Sequence, residues 1–323
     1  MVADPPQGSR GVAGGRGARL SRAVSGPALL LPFVLVSFAA NSLITRHVVA
    51  AHLLDAGLLS AVRFVTGALA LVILAFARRK RLVVGRANVR PTLWLGVYAV
   101  CISYGYRHIG AAAGTFVFYA TVLLTSVTDD LVHRRAVPRR RGTGAAVSLS
   151  GVAVLSSSAI GSVTGTGVLL LSATGVAWAL YTAAGRSGSD PQVSTTGNFV
   201  VLAAVVALPA AAGAIAGLHI TPAGLAWATV MGAGTTAGAY VAWYACQRSL
   251  SGTAAGSVQL VIPVITAAGA VLLLGEHLTW RLLVCAALVG AGTWLGRPSE
   301  TPAMQGSGEA RDVGGVAPEG VSR

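Results

Sequence analysis

The chain has 323 residues, 54% of them hydrophobic and only 11% charged, with mean hydropathy +0.70 and a formal net charge of +14. A soluble enzyme of this size needs a charged shell that so few charged residues cannot make, which points to a membrane protein. The positive charge falls in short clusters between apolar runs and not among aromatic residues, a pattern that sets membrane topology and argues against nucleic acid as a partner.

Residues 1–26 are rich in Gly, Arg and Pro without periodicity and are expected to form a disordered basic lead-in. Arg10–Arg22 followed by Ala28–Ala40 has the layout of a secretory signal peptide, but the apolar run continues to Thr45 and has a counterpart later in the chain, which favours a first span. Ten apolar segments are predicted, at about 28–45, 57–77, 92–107, 111–131, 142–160, 165–185, 195–217, 223–246, 252–274 and 279–296. Short connections make neighbouring spans antiparallel. The tail 298–323 is rich in Gly, Pro, Ser and Glu and is expected to be disordered. Cys101, Cys246 and Cys285 each stand alone in an apolar run and read as small core residues, with no metal or disulfide framework.

Of the 24 lysines and arginines, all but Arg46, Arg63, Arg107 and Arg281 fall on one side when the N-terminus is placed inside. That asymmetry predicts both termini in the cytoplasm. The bias toward Arg, Ala, Gly and Val is that of a GC-rich bacterial genome, so the expected location is a bacterial cytoplasmic membrane, with the lipid bilayer as the surrounding partner.

Ten spans divide into two fives that resemble each other, 27–160 and 161–297. An offset of 142 lays Ala113-Gly114-Thr115 on Ala255-Gly256-Ser257 and sets Thr121 against Pro263; offsets of 139 and 140 lay Gly151 on Gly290 and Arg46 on Arg186. Five being odd, the second copy inserts upside down, which predicts an all-α fold of two inverted five-helix repeats around a central cavity.

Span nine carries no charge from Thr253 to Leu274 but contains Gln259, a full amide, and Pro263, which removes an N–H and frees the carbonyl of Gln259. Two readings are open: a cavity wall, or a harmless kink with an amide that bonds a neighbouring helix. The same choice holds for the other polar and aromatic residues at helical spacing. Span four offers Thr115, Phe118, Tyr119, Val122, Thr125 and Asp129 as one stripe; span eight Tyr240, Trp243, Tyr244 and Gln247; span six Thr174, Trp178 and Tyr181; span one Ser37 and Asn41. Aromatics with polar tips beside single amides suit a solute of mixed polarity. Trp94, Trp280 and Trp294 read as interfacial belt residues.

Arg63 lies about two turns into span two, where it either snorkels outward or meets a substrate carboxylate. Asp129 and Asp130, next to Arg134 and Arg135, read as a local ion pair or, alternatively, as a proton-coupling site. Glu276 reads as a helix-end residue near Arg281. The cluster Gly232-Ala-Gly234-Thr-Thr-Ala-Gly238 suits close helix packing and not phosphate binding.

The pattern Gln259-Leu-Val-Ile-Pro263-Val followed by Leu274-Gly275-Glu276-His277-Leu278-Thr279, with Gly290, Gly292, Arg63-Phe64 and Ala111–Gly114, resembles the ten-span EamA-domain branch of the drug/metabolite transporter superfamily over about residues 28–296. The resemblance implies a basket of helices around a substrate cavity, spans five and ten at the periphery, and export or uptake of small metabolites, without a cofactor. Two places depart from the pattern: Thr121 stands where a span-four proline belongs, and Arg134 stands opposite Glu276. Export of a drug-like compound and uptake or facilitated passage of an amino-acid-like solute both fit, as do a monomer and a homodimer. A membrane-embedded enzyme is the remote alternative, since the chain has no HExxH, no GxSxG and no pair of mid-span carboxylates.

Overall fold

The computed structural model describes residues 15–156, 164–185, 190–215, 217–248, 250–277 and 279–296. Among these, the regular structure is helical, apart from one isolated β-bridge between Leu54 and Ile220. The helices are α1 (Gly15–Ala50), α2 (Ala56–Ala77), α3 (Val89–Gly105), α4 (Ala111–Val132), α5 (Arg139–Ser156), α6 (Gly165–Gly185), α7 (Pro191–Ile215), α8 (Pro222–Val230), α9 (Ala239–Gln247), α10 (Gly252–Gln259), α11 (Val261–Leu274) and α12 (Trp280–Leu295). A π-helical stretch, Met231–Gly238, joins α8 to α9 in one column. The lead-in expected to be disordered is helical from Gly15 on, continuous with the first span. The expected disordered tail lies outside the described residues.

Among the described residues, six segments are long and apolar enough to cross a membrane: Leu30–Ala50, Ala56–Ala77, Ala111–Val132, Gly165–Gly185, Pro191–Ala212 and Gly252–Leu274. The other four expected spans are also helical, but α3 and α12 are short, α5 opens on three arginines, and the α8–α9 column is interrupted. Large apolar side chains point outward, with Phe76 74%, Leu208 78% and Leu272 82% exposed, while Asn41, Arg63, Gln247 and Gln259 are buried. That distribution is the reverse of a soluble protein and suits a perimeter that meets lipid.

Packing fixes which helices can share a site. Helix α2 lies against α7, α4 against α10 and α11, and α5 against α12. Helix α6 lies against α3 and α4, α1 against α9 and α11, α2 against α8 and the π stretch, and α3 against α7. The α5–α12 pair sits at the edge, as the family resemblance implied. Its closeness rests on missing side chains: a Cβ on Gly144 would meet the Gly292 carbonyl, and one on Gly292 would meet Ser148.

Side chains satisfy the free amides at several helix starts. Asp190 accepts from the amides of Gln192 and Val193 at the head of α7 and from the Lys80 ammonium at 2.6 Å. The Lys80 bond holds the Asp190 carboxyl below its ordinary value, and the two amides add to it.

Candidate functional site

The centre of the bundle is an aromatic cluster drawn from six columns. Trp178 and Tyr181 come from α6, Tyr240 and Tyr244 from α9, Phe38 from α1, Tyr98 from α3, Phe118 and Tyr119 from α4 and Phe199 from α7. The Trp178 ring centroid is 4.9 Å from Tyr240, 5.2 Å from Phe38 and 5.3 Å from Tyr98. Tyr181 and Tyr244 stack at 5.2 Å, and the Tyr244 hydroxyl donates to the Tyr181 carbonyl at 3.2 Å. Gly185 makes that approach possible, since a Cβ there would run into the Tyr244 ring.

Gln259 is wired into this cluster. Its Oε1 accepts from Trp178 Nε1 at 2.6 Å and its Nε2 donates to the Ala255 carbonyl at 3.0 Å. The span breaks immediately after it, between α10 and α11, because Pro263 has no N–H to offer the Gln259 carbonyl. Pro263 thus acts as expected, and it is buried beside the break. Helix α4, with Thr121 at the matching place, runs unbroken.

Asn41 joins α1 to the π stretch. Its Nδ2 donates to the Thr235 carbonyl at 3.1 Å, and its Oδ1 accepts from the Thr235 and Thr236 hydroxyls at 2.9 and 3.1 Å. The π turn alters the usual backbone pairing, and one amide supplies partners there. The glycine and threonine cluster 232–238 therefore does more than allow close packing, although a Cβ on Gly232 would indeed meet Arg63 backbone and Thr66.

Arg63 does not snorkel. Its exposure is 0%, its guanidinium carbon lies 4.5 Å from the Phe64 ring centroid and 5.3 Å from that of Tyr98, and none of its three nitrogens has a hydrogen-bond partner among the described residues.

Thr115 stands apart from the cluster. Its hydroxyl donates to the Ala111 carbonyl at 2.6 Å and lies 2.7 Å from the Tyr106 hydroxyl. Asp129 and Asp130 lie at the last turn of α4, where Arg135 reaches both, at 3.0 and 3.2 Å. Asp130, 1% exposed, also accepts from the Thr253 amide and hydroxyl at 2.6 and 2.8 Å, and so caps α10. Glu276 does the converse. Its Oε1 accepts from the Ala111 amide at 2.9 Å and its Oε2 from Ala112 at 3.4 Å, which caps α4 at the other end. Each of the two antiparallel columns carries a carboxylate at its tail that holds the head of the other.

Side chains of the described residues pack closely at the aromatic centre. Phe38, Asn41, Ser42, Tyr98, Tyr119 and Trp178 leave a central cavity of about 10 Å³, at the threshold for one water. A larger cavity of about 250 Å³ opens at the Lys- and Arg-rich end, lined by Asn88, Pro91, Gly185, Ser194, Asn198 and Tyr244. The structure thus brings together Asn41, Tyr119, Trp178, Tyr181, Tyr240, Tyr244 and Gln259, with Arg63 joined through Tyr98, and sets Thr115, Asp129 and Asp130 apart. Sequence reasoning passed over Tyr98, Phe38 and Phe199; the spacing Leu95, Tyr98, Ile102 on α3 carried a readable signal for the first.

Residues 165–296 match the model of the EamA-like transporter family. An uncharacterized protein, PA1977, of Pseudomonas aeruginosa is 34% identical over 254 residues, which cover 79% of this chain and 88% of that one. A chain of known crystal structure superposes with a TM-score of 0.69 over 84% of this chain and 97% of its own length; at 18% identity, the fold is what the two share. Helices long and apolar enough for a membrane, polar groups turned inward and the match over 165–296 agree, and the chain belongs to the EamA-like transporter family of the drug/metabolite transporter superfamily.

Proposed function

We propose that the chain is a secondary transporter that exports a small metabolite or drug-like molecule across the bacterial cytoplasmic membrane by alternating access, with both termini in the cytoplasm. The reading takes the helical columns as ten spans in two inverted repeats, 27–160 and 161–297. What carries it is an exchange relation in the packing. Advance each helical column by five places and neighbours map onto neighbours: α3 on α6 becomes the α8–α9 column on α1, and α4 on α6 becomes the α10–α11 column on α1. Likewise α2 on the α8–α9 column becomes α7 on α3, while α2–α7, α4 with α10–α11, and α5–α12 map onto themselves. The reciprocal caps of Asp130 and Glu276 obey the same exchange. Two copies related in this way can rock about a shared centre and expose it to each side in turn.

A cavity of about 250 Å³ opens at the Lys- and Arg-rich end and one of about 270 Å³, beside His47, Trp227 and Leu274, at the other, so a solute has an entry at each face; the proposed direction is export, with the Lys- and Arg-rich end in the cytoplasm. Proton coupling, where export uses it, is assigned to Asp130, since protonation would remove an acceptor that Thr253 and Arg135 share. The test is flux. Media of overexpressing and deletion strains are compared for accumulated metabolites, and the solutes found are followed in proteoliposomes with and without an imposed pH gradient. Protein-dependent flux that enters at the face bearing the Lys- and Arg-rich loops and leaves at the opposite face supports the reading; no flux of any solute contradicts it, and flux indifferent to the gradient removes the role assigned to Asp130.

A further inference from the structure

Arg63 poses a problem that packing alone does not solve. An arginine stays charged in proteins, and a charge taken out of water without a partner is among the costliest arrangements a fold can hold. Here the guanidinium is fully buried, its Nε and both terminal nitrogens lack a hydrogen-bond acceptor among the described residues, and two aromatic faces flank it. The ion pairs of the described residues, Lys80–Asp190 and those of Asp129 and Asp130 with His133 and Arg135, involve residues that flank the spans or close α4, not Arg63. Ring quadrupoles attract a cation, but they accept no N–H in the plane of the guanidinium fork.

We infer that Arg63 is the anchoring cation of a substrate site for a monocarboxylate with an apolar or aromatic body. The inference rests on the transporter reading and specifies its substrate class. A carboxylate matches the fork with two parallel hydrogen bonds and neutralises the buried charge, which an amide, alcohol or ammonium cannot do. Tyr98 connects the two parts of the site: its ring flanks the guanidinium and also lines the small central cavity with Phe38, Tyr119 and Trp178. A carboxylate on Arg63 therefore directs the rest of the solute onto aromatic walls, where an apolar body replaces ring contacts already present. Among the described residues the central cluster presents no carboxylate to receive an ammonium group, so the site favours a simple organic anion over a zwitterion.

The probes are 3-phenylpropionate, its neutral amide and 3-phenylpropylamine, at matched ionic strength, on the full-length protein in phosphatidylcholine nanodiscs, with binding read by tryptophan fluorescence and by the melting temperature. The wild type is expected to bind the carboxylate at least tenfold more tightly than the amide or the amine. Arg63→Gln and Arg63→Met should each lose that preference, and Arg63→Lys, a point charge without the fork, should retain part of it. Ligand-free Arg63→Met should melt no lower than the wild type, because it removes an unpaired buried charge; a structural arginine would instead lower the melting temperature in all three variants.

Equal binding of amide and carboxylate by the wild type overturns the inference, as does a carboxylate affinity in Arg63→Gln within twofold of the wild type. Should Gln and Met variants fail to fold, the probe ranking of the wild type and the response of Arg63→Lys still decide it. Flux of the amide or amine in proteoliposomes without preference for the carboxylate would sink the anion site and leave the transporter reading intact; selective carboxylate binding with no flux of any solute would do the reverse.

Discussion

Gln259 shows how one side chain serves two purposes. Its carbonyl oxygen holds the Trp178 indole and its amide nitrogen ties back to Ala255, so the residue fixes the aromatic centre to the broken span. Replacing it with leucine leaves a buried indole N–H without an acceptor, which costs about 1–3 kcal/mol. Gln259→Leu is expected to lower the melting temperature in micelles while remaining folded; an unchanged melting temperature would mean that this bond does not contribute to stability. Asn41 is in the same position relative to the π stretch, with both the oxygen and the nitrogen of its amide bonded there. For both residues the sequence posed cavity wall against interhelical bond, and in the structure each makes the bond while lining or adjoining the centre.

At the scale of elements, the columns α4 and α10–α11 hold each other by their ends. Helix α11 ends on Gly275 at φ 67°, which turns the chain so that Glu276 reaches the head of α4. After α4 the left-handed place is taken by Arg134 at φ 53°, so Arg134 answers to Gly275 and the capping role falls to Asp130, one turn earlier. This is why a fixed offset of 142 set Arg134 opposite Glu276 and concealed the correspondence. Asp130→Asn is expected to destabilise more than Glu276→Gln. Asp130 is nearly fully buried and accepts two short bonds as well as Arg135, at about 1–3 kcal/mol for charge-assisted bonds, whereas Glu276 is half-buried with one short bond. The double variant should show additive losses in thermal denaturation, because the two caps lie at opposite ends of α4 and share no partner. A larger loss for Glu276→Gln would contradict the ranking.

For the whole molecule, much of the architecture was legible because lipid imposes a simple rule: long apolar runs, basic loops and inward-turned polar groups can be read one residue at a time. The break at Pro263 and the edge position of α5 and α12 also followed from local sequence and family pattern. The packing of the aromatic centre did not, since which rotamers aromatic side chains adopt depends on neighbours from six columns at once. Nor did the caps, which join residues 123 and 165 positions apart. The burial of Arg63 was likewise undecided until the packing of α2 against α7 and the π stretch was known.

Alternation of a single centre between two faces is tested most directly at Ser42, a small buried residue that lines the central cavity with Trp178. With Cys101, Cys246 and Cys285 replaced by alanine, Ser42→Cys is exposed to a membrane-impermeant maleimide in right-side-out and in inverted vesicles. Alternating access predicts slow labelling from both sides, with substrate slowing both; labelling from one side only, whatever solute is present, would contradict it.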